Sequence, residues 1–203
     1  MTESLASSYT KRYNADLLLI AEELNQFLED LFKGFDCVNR ISTRAKKIDS
    51  FLTKASLRLN GASKYKDPLV DIQDQVGALI VVRFLTDVDT ISSRVEQFLR
   101  KIEHQDVVPE SESEFGYVGR HFVLLIPTEL SARPSHEPAL EFFELQIKTL
   151  FQYAWSETNH ALGYKPQTEL NREQKRMCAY VAAQAWGADK VLDDLRLETP
   201  SKE

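Results

Sequence analysis

The sequence contains little cysteine, glycine or proline: 2, 7 and 7 residues, respectively, of 203. This composition excludes collagen, low-complexity disorder and a small domain held together by disulfides. Cys37 and Cys178 lack the close spacing of metal ligands, which favours two buried thiols in a reducing compartment. No run reaches the roughly 18 consecutive apolar residues of a membrane span, and the first residues form no apolar signal region. We therefore expect a soluble, cytoplasmic protein that does not bind membranes.

The net charge and the length of the chain limit the class of function and the number of domains. The chain has 25 Lys and Arg against 31 Asp and Glu, a net charge of −6, which argues against a general nucleic-acid coat protein. A local basic site is still compatible with that balance. Apolar residues make up 43% of the chain, enough at this length for one domain with a sizeable core. We expect a single domain over residues 1–203, with its core at 40–165 and helical extensions at 11–33 and 172–195.

Hydrophobic periodicity divides the chain into helices and strands. Helical spacing of apolar residues predicts helices at 11–33 and 87–103, and further helices are expected at 36–59, 150–162 and 172–195. Apolar runs rich in β-branched residues or with alternating polarity predict strands at 76–85, 121–127 and 142–148, with a short edge strand at 105–108. The order α-α-β-α-(β)-β-β-α-α predicts an α+β fold: a mixed β-sheet with flanking helices and further helices at both termini.

Two carboxylates stand at the starts of predicted strands. Asp74 precedes the run VGALIVV, and Glu144 begins the segment ELQIK. Adjacent strands would bring both carboxylates within reach of one divalent cation such as Mg²⁺. Taken alone, each residue is more simply explained as a strand-entry cap or as part of a solvated face.

A row of cations lies in the predicted second helix. Arg44, Lys47, Lys54 and Arg58 are separated by 3, 7 and 4 residues, which would place them on one helical face. Such a row suits a polyphosphate. A solvated helix face is the commoner explanation of a charge run, but only Asp49 interrupts the cations here.

Other motifs are less specific. The run GYVGRH places Tyr117 and His121 beside two glycines at the mouth of a strand, where an aromatic ring could stack on a base or sugar, or simply pack in a turn. His160 has no second histidine at the spacing of zinc ligands, so zinc is not expected. The sequence also lacks a P-loop, a G-x-S-x-G motif and an H-E-x-x-H motif, so no covalent nucleophile is indicated.

Taken together, the segments resemble the synthetase domain of the RelA/SpoT family over roughly residues 40–165. Four segments carry the resemblance and occur in this order: RAKKIDSFLTK, DIQDQVGALIVVRFLTDVD, FGYVGRH and ELQIKTLFQYAWSETNHALGYK. The resemblance implies a nucleotidyltransferase-like sheet and a Mg²⁺-dependent pyrophosphokinase, which moves the β,γ-pyrophosphate of ATP to the ribose 3′-hydroxyl of GDP or GTP. The terminal helices fit the short, single-domain members, the small alarmone synthetases.

The resemblance also implies roles for individual residues. Asp74 matches the family's Mg²⁺-binding aspartate, and Glu144 matches the glutamate that binds Mg²⁺ or activates the 3′-hydroxyl. Contacts with ATP are implied for four residues in and just after the R-x-K element: Arg44, Lys46, Ser50 and Lys54. The acceptor-binding residues are Tyr117, which would stack on the base, and His121, Gln146, Glu157, Asn159 and His160.

Two departures from the family pattern stand out. Leu79 occupies the position of an arginine that packs on adenine, and we expect Arg83, on the same strand face, to bind ATP and compensate in part. The loop before Tyr117 reads PESESEF, with three glutamates where the family carries lysines that grip the acceptor's 5′-phosphates. Close like charges there would repel a nucleotide by about 1 kcal/mol or more per pair.

The altered acceptor side leaves three functions open. The first is pyrophosphate transfer to a purine nucleotide, GDP/GTP or ADP/ATP, which would yield (p)ppGpp or (p)ppApp. The second is a toxic small alarmone synthetase that modifies the 3′-terminal adenosine of tRNA, blocks translation and has an antitoxin partner. The third is a degenerate module that binds a nucleotide or a protein without turnover. The apolar faces at 11–33 and 172–195 are candidates for homo-oligomer contacts, with packing inside one chain as the alternative.

Overall fold

The computed structural model describes residues 4–106, 119–130, 138–163 and 170–199. The helices are α1 (Leu5–Arg12), a π-helical turn (Tyr13–Leu17), α2 (Leu18–Leu31), α3 (Ile48–Ala55), α4 (Pro68–Asp71), a 3-10 turn (Gln73–Gln75), α5 (Leu85–Phe98), α6 (Leu150–Gly163) and α7 (Arg172–Glu198). The strands are β1 (Val38–Ala45), β2 (Arg58–Leu59), β3 (Ala62–Ser63), β4 (Val76–Val82), β5 (Lys101–Asp106), β6 (Arg120–Leu125) and β7 (Phe142–Thr149).

Five of the strands form one mixed sheet in the order β1-β4-β7-β6-β5. Strands β4 and β7 run parallel, whereas the other neighbouring pairs are antiparallel. The short strands β2 and β3 form a separate hairpin. Its turn residues Asn60 and Gly61 both have positive φ, 51° and 82°, as two-residue hairpin turns require. The predicted α+β class, a mixed sheet with flanking and terminal helices, is confirmed.

The two faces of the sheet differ in chemistry because side chains alternate along each strand. On one face Ile80, Leu145 and Ile147 are buried in the core, together with apolar residues of α2 and α5. The opposite face carries Glu144, Gln146 and Lys148 of β7, with His121 of β6 beside Gln146. We call this second face the polar face. Any chemistry that the sheet supports is therefore confined to it.

The predicted helix over residues 36–59 is wrong. The chain forms the edge strand β1, the short helix α3 and the β2–β3 hairpin instead. Ile41 and Thr43 alternate toward the core side of β1, and the Thr43 hydroxyl donates to the carbonyl of Ala21 at 2.6 Å. Arg44 and Lys54 consequently lie on different elements, and the four cations of this region do not share a helix face.

Most other predicted elements are confirmed with shifted ends. The first helix begins earlier than predicted, at Leu5, where Ser4 caps it by accepting from the Ser7 amide at 3.2 Å. The helix predicted at 87–103 ends at Phe98, and β5 follows as the edge strand. No helix in the described ranges is long and apolar enough to cross a membrane. The acidic loop at 109–114 lies outside the described residues.

The last helix, α7, is held on the rest of the fold by buried carboxylates. Asp189 accepts a hydrogen bond from the Thr149 hydroxyl, at the junction of β7 and α6. Asp193 accepts from both the amide and the hydroxyl of Thr86, at 3.0 and 2.9 Å. The first contact fixes the end of β7, which carries Glu144, Gln146 and Lys148 on the polar face, and the second holds the start of α5.

Candidate active site

The register of the sheet brings the predicted carboxylates and cations together. Gly77 pairs with Arg44 on one side and with Glu144 on the other, so these residues form one row across three strands of the polar face. A Cβ atom at Gly77 would meet no atom within 4 Å, so the space over this residue, between Arg44 and Glu144, is open. Asp74 lies three residues before Gly77, in the 3-10 turn that leads into β4.

Asp74 is the centre of a cluster of cations. Its Oδ2 atom accepts from Lys46 Nζ at 2.8 Å and lies 3.0 Å from Lys54 Nζ. Burial raises the pKa of Asp74, but the hydrogen bonds and charges of the two lysines outweigh it and hold the pKa below the usual value. The other oxygen, Oδ1, is buried and has no hydrogen-bond partner among the described residues.

Several contacts from the N-terminal helix hold this cluster in place. The Tyr9 ring stacks on the ring of Phe51 in α3, with the two ring centroids 3.6 Å apart. The Tyr9 hydroxyl donates to the Lys46 carbonyl at 2.7 Å. The Lys46 amide donates to the Gln75 carbonyl at 2.8 Å. The buried Arg12 guanidinium donates to Gln75 Oε1 at 3.0 Å. Helix α1 therefore fixes both the lysine and the turn that carries Asp74.

Glu144 is engaged through both of its oxygens. Oε1 lies 3.1 Å from His121 Nδ1, and Oε2 accepts from Gln146 Nε2 at 3.2 Å. Burial raises the pKa of Glu144 and the nearby charge of Asp74 adds to this, but the contacts with His121 and Gln146 hold the pKa below its usual value. Glu144 is therefore ionised at neutral pH. The Nε2 atom of His121 is buried and has no hydrogen-bond partner in the described part of the chain.

The donor set fits a hard divalent cation. Asp74 and Glu144 interact electrostatically, and Asp74 Oδ1 is a buried oxygen without a partner among the described residues. Mg²⁺ is typically held by one or two carboxylates, with water and substrate phosphates as its other ligands. Within the described ranges, no group of three or more His, Cys, Asp or Glu residues is arranged to hold a metal. Asp74 and Glu144 are the residues that could hold Mg²⁺ together with a phosphate.

Lys148 belongs to the same face, although no sequence motif marked it as a site residue. It is 7% exposed and pairs in register with Val81, four residues along β7 from Glu144. Its charge interacts with Glu157 of α6, with Glu144 and with Arg44. Burial is the largest influence and lowers the pKa of Lys148. The alternation of Glu144, Gln146 and Lys148 along a single strand was the sequence signal for its position.

The acceptor residues predicted on α6 are only partly brought together. Glu157 interacts with Lys148, and His160 follows one turn later on the same side of the helix. Asn159 is exposed, and helical geometry turns it about 200° away from Glu157.

Two further predicted site residues lie elsewhere in the chain. Ser50 lies one turn before Lys54 on α3. Tyr117 lies outside the described residues.

The structure does not bring Arg83 to the site. Strand β4 ends at Val82, about 20 Å from its start at the usual rise per residue. Arg83 follows this far end, where its guanidinium donates to the Asp36 carbonyl. The expectation that Arg83 binds ATP and compensates in part for Leu79 is therefore wrong, because Arg83 lies beyond the far end of the strand. Leu79 itself lies on the polar face, in register with Ser42 and Gln146.

The arrangement combines three chemical capacities on one surface. Lys46, Lys54 and Arg44 provide cations for a polyphosphate. Asp74 and Glu144 provide carboxylates for a metal ion. The ionised Glu144, oriented by His121, can accept a proton from a hydroxyl group.

Comparison with known proteins agrees with this assembly. The family model described as the region found in RelA / SpoT proteins matches residues 43–169. The GTP pyrophosphokinase YjbM of Bacillus subtilis is 26% identical over 165 residues, which are 78% of this chain and 72% of that protein.

Two solved structures show the same fold. A GTP pyrophosphokinase family protein from Streptococcus pneumoniae aligns with a TM-score of 0.76 and 22% identity, covering 97% of this chain and 95% of that one. Small alarmone synthetase 1 from Bacillus subtilis, bound to its product pppGpp, aligns with a TM-score of 0.75 and 23% identity, covering 96% of this chain and 100% of the other. The mixed sheet with helices at both ends is common to all three.

Proposed function

This chain belongs to the RelA/SpoT family, and from that premise we propose that it is a Mg²⁺-dependent pyrophosphokinase acting on ATP and a purine nucleotide. The observation that carries the proposal is the juxtaposition of Asp74 and Glu144 at the start of two parallel strands. Lysines surround the first carboxylate, and His121 and Gln146 hold the second. That asymmetry supports a donor side at Asp74 and an acceptor side at Glu144.

On the donor side, Lys46 and Lys54 bind the phosphates of ATP. Both ammonium groups are already within 3.0 Å of Asp74 Oδ2. A Mg²⁺ ion held by Asp74 and by phosphate oxygens would supply further positive charge there. Catalysis of phosphoryl-type transfer depends largely on such positioning and charge stabilisation.

On the acceptor side, Glu144 takes the proton of the ribose 3′-hydroxyl. The 3′-oxygen forms a bond to the β-phosphorus of ATP, and the bond from that phosphorus to the α,β-bridging oxygen breaks. AMP leaves with the bridging oxygen and its electron pair. The low pKa of Glu144 keeps it ionised before the step, and the contacts with His121 and Gln146 hold its orientation.

The family and its named relatives support a nucleotide acceptor. YjbM is named a GTP pyrophosphokinase, and the aligned small alarmone synthetase 1 is bound to pppGpp. We therefore place GDP or GTP first among the acceptors, with ADP and ATP next. Both substrates are soluble nucleotides, which supports a cytoplasmic site of action.

One observation favours a second candidate function. The loop PESESEF carries three glutamates next to the predicted acceptor-binding Tyr117. A tRNA 3′ end has no free 5′-diphosphate for such a loop to repel, so a toxic tRNA pyrophosphokinase with an antitoxin partner is the alternative. The net charge of −6 counts against a large RNA ligand.

Release of AMP from ATP tests the proposed reaction. With Mg²⁺ and a nucleotide acceptor we expect AMP from the wild-type protein, and loss of at least about 100-fold in rate for Asp74→Asn and for Glu144→Gln. Asp30→Asn, which changes an exposed carboxylate on α2, serves as the matched control. Near wild-type activity in either site variant would show that the metal and base assignments are wrong.

A further inference from the structure

Lys148 is a largely buried lysine whose ammonium group forms no hydrogen bond or ion pair in the described part of the chain. It is only 7% exposed, yet its side chain forms no hydrogen bond or ion pair with any residue that the structure describes. Burying an ammonium group is costly unless an opposite charge or a hydrogen-bond acceptor compensates it. The two other lysines of the site are compensated, since both contact Asp74.

The surroundings direct Lys148 toward the reacting groups. Gly119 packs against its aliphatic stem so closely that a Cβ at that position would lie 2.6 Å from Lys148 Cγ. The register places Lys148 on the polar face, on the same strand and the same side as Glu144. Its charge interacts with Glu157, Glu144 and Arg44, so the ammonium group lies near the proposed base and near a cation of the donor side.

Arg44 shares this lack of a partner. It is exposed, and it has no hydrogen bond or ion pair within the described ranges. Arg44 and Lys148 are like charges that repel each other, with Arg44 in register with Gly77 and Lys148 in register with Val81. Two neighbouring cations on the polar face that form no ion pair with described residues suit a doubly or triply charged anion.

We propose that Lys148 and Arg44 together bind the pyrophosphoryl group during its transfer, which makes Lys148 a catalytic residue. The proposal rests on the proposed function. As the 3′-oxygen bonds to the β-phosphorus and AMP departs, negative charge spreads over the oxygens of the transferred group. Lys148 donates hydrogen bonds to these oxygens and forms no covalent bond. The bound substrate would therefore add to the negative charge that Glu157 and Glu144 already place near Lys148.

Three lysine variants test this role. Lys148→Met removes the charge and keeps the length of the side chain, Lys148→Arg keeps the charge, and Lys190→Met makes the first change at an exposed position on α7. Each is compared with the wild type for kcat, for the KM of ATP and of the acceptor, and for its melting temperature. The melting temperature is also measured with inorganic pyrophosphate as the ligand.

We expect Lys148→Met to lower kcat by about 100- to 1,000-fold, the usual effect of removing one group that stabilises transition-state charge. Lys148→Arg should keep most of the activity, and Lys190→Met all of it. Without ligand, Lys148→Met should melt at the same temperature as the wild type or higher, because a largely desolvated ammonium group without a hydrogen bond or ion pair among the described residues is gone. Inorganic pyrophosphate should stabilise the wild type more than Lys148→Met.

Other results from the same experiments would contradict the role of Lys148. Unchanged kcat in Lys148→Met, or an increase in the acceptor KM alone, would overturn the proposal. So would a fall in melting temperature that Lys148→Arg restores together with activity, since that pattern indicates a structural role. If the wild type transfers pyrophosphate to no acceptor, the proposed function fails, and the pyrophosphate melting experiment still decides whether Lys148 binds this anion.

Discussion

His121 Nδ1 lies 3.1 Å from Glu144 Oε1, so one histidine–carboxylate contact joins two neighbouring antiparallel strands at the centre of the polar face. This contact helps to hold the pKa of Glu144 below its usual value. The ionisation of the proposed base therefore depends on a residue from another strand.

Replacing His121 should shift the pH dependence of the reaction. In His121→Leu the contact that stabilises the carboxylate is lost, so the pKa of Glu144 rises and the acid limb of kcat/KM moves to higher pH. His121→Gln can still donate a hydrogen bond, and its acid limb should stay nearer to that of the wild type. An acid limb that is identical in His121→Leu would show that Glu144 ionisation does not control the rate.

Asp74→Asn should destabilise the protein in a pH-dependent way. The folded-state pKa of Asp74 lies below its unfolded value of 3.8, so the unfolded chain binds the proton more readily. The stability from Asp74 is thus complete above pH 3.8 and is lost as the pH falls through the folded-state value. We expect a deficit of about 1–3 kcal/mol at neutral pH for the variant, measured by urea denaturation.

The pH series supplies the decisive comparison for Asp74. The deficit should shrink as the pH is lowered below about 4, because wild type and variant then both carry an uncharged group at this position. Asp30→Asn should show no deficit at any pH. A difference that stays constant down to acid pH would mean that the ion pairs with Lys46 and Lys54 contribute nothing to folding.

Gly119→Ala should damage both stability and activity. A Cβ at this position would lie 2.2 Å from the Ile147 carbonyl oxygen, which is backbone and cannot move aside cheaply. We expect destabilisation of about 1–3 kcal/mol, the usual cost of overpacking, and a lower kcat because Lys148 is displaced. Denaturation curves and the transfer assay measure the two effects.

Gly187→Ala is the matched control for that substitution. Gly187 lies inside α7, and a Cβ there would meet no atom within 4 Å. Alanine favours a helix by about 0.5–1 kcal/mol over glycine, so this variant should be slightly more stable than the wild type. Equal destabilisation of both variants would contradict the close packing at Gly119.

Leu79→Arg should strengthen binding of ATP. Leu79 lies on the polar face between Ser42 and Gln146, where a guanidinium could stack on the adenine or reach the phosphates. We expect a lower KM for ATP in Leu79→Arg and no change in Arg83→Ala, because Arg83 lies beyond the far end of β4. An increase in KM on removal of Arg83 would restore the role that the sequence suggested for it.

The sequence predicted the buried centre of the fold better than its edge. Strand β4 is a nearly continuous apolar run rich in β-branched residues, and β7 alternates apolar and polar residues, so both patterns favoured a strand. Strand β1 was predicted as part of the helix over 36–59, and the cations of this region were then interpreted as one face of that helix. The alternation of Ile41 and Thr43 with polar residues was present, but an edge strand with few buried residues gives a weak signal.

The candidate site, like the fold, was predicted only in part from the sequence. Asp74 and Glu144 were predictable because each begins a recognisable strand. The pairing of Lys46 and Lys54 with Asp74, and of His121 with Glu144, depends on strand order and register, which periodicity does not specify. Lys148 had the right alternation, but only the structure shows that it is largely buried and forms no hydrogen bond or ion pair with the described residues.

The most direct test of the proposed activity traces the γ-phosphate of ATP. The purified protein is incubated with Mg²⁺ and ATP labelled on the γ-phosphate, in parallel with GDP, GTP, ADP, extra ATP or deacylated tRNA. A pyrophosphokinase of this kind should place label on the 3′-position of a purine nucleotide, release one AMP per label transferred, and lose the product when the Mg²⁺ is chelated. Label on tRNA alone would establish the alternative acceptor, and no transfer to any of the five would contradict the proposed activity.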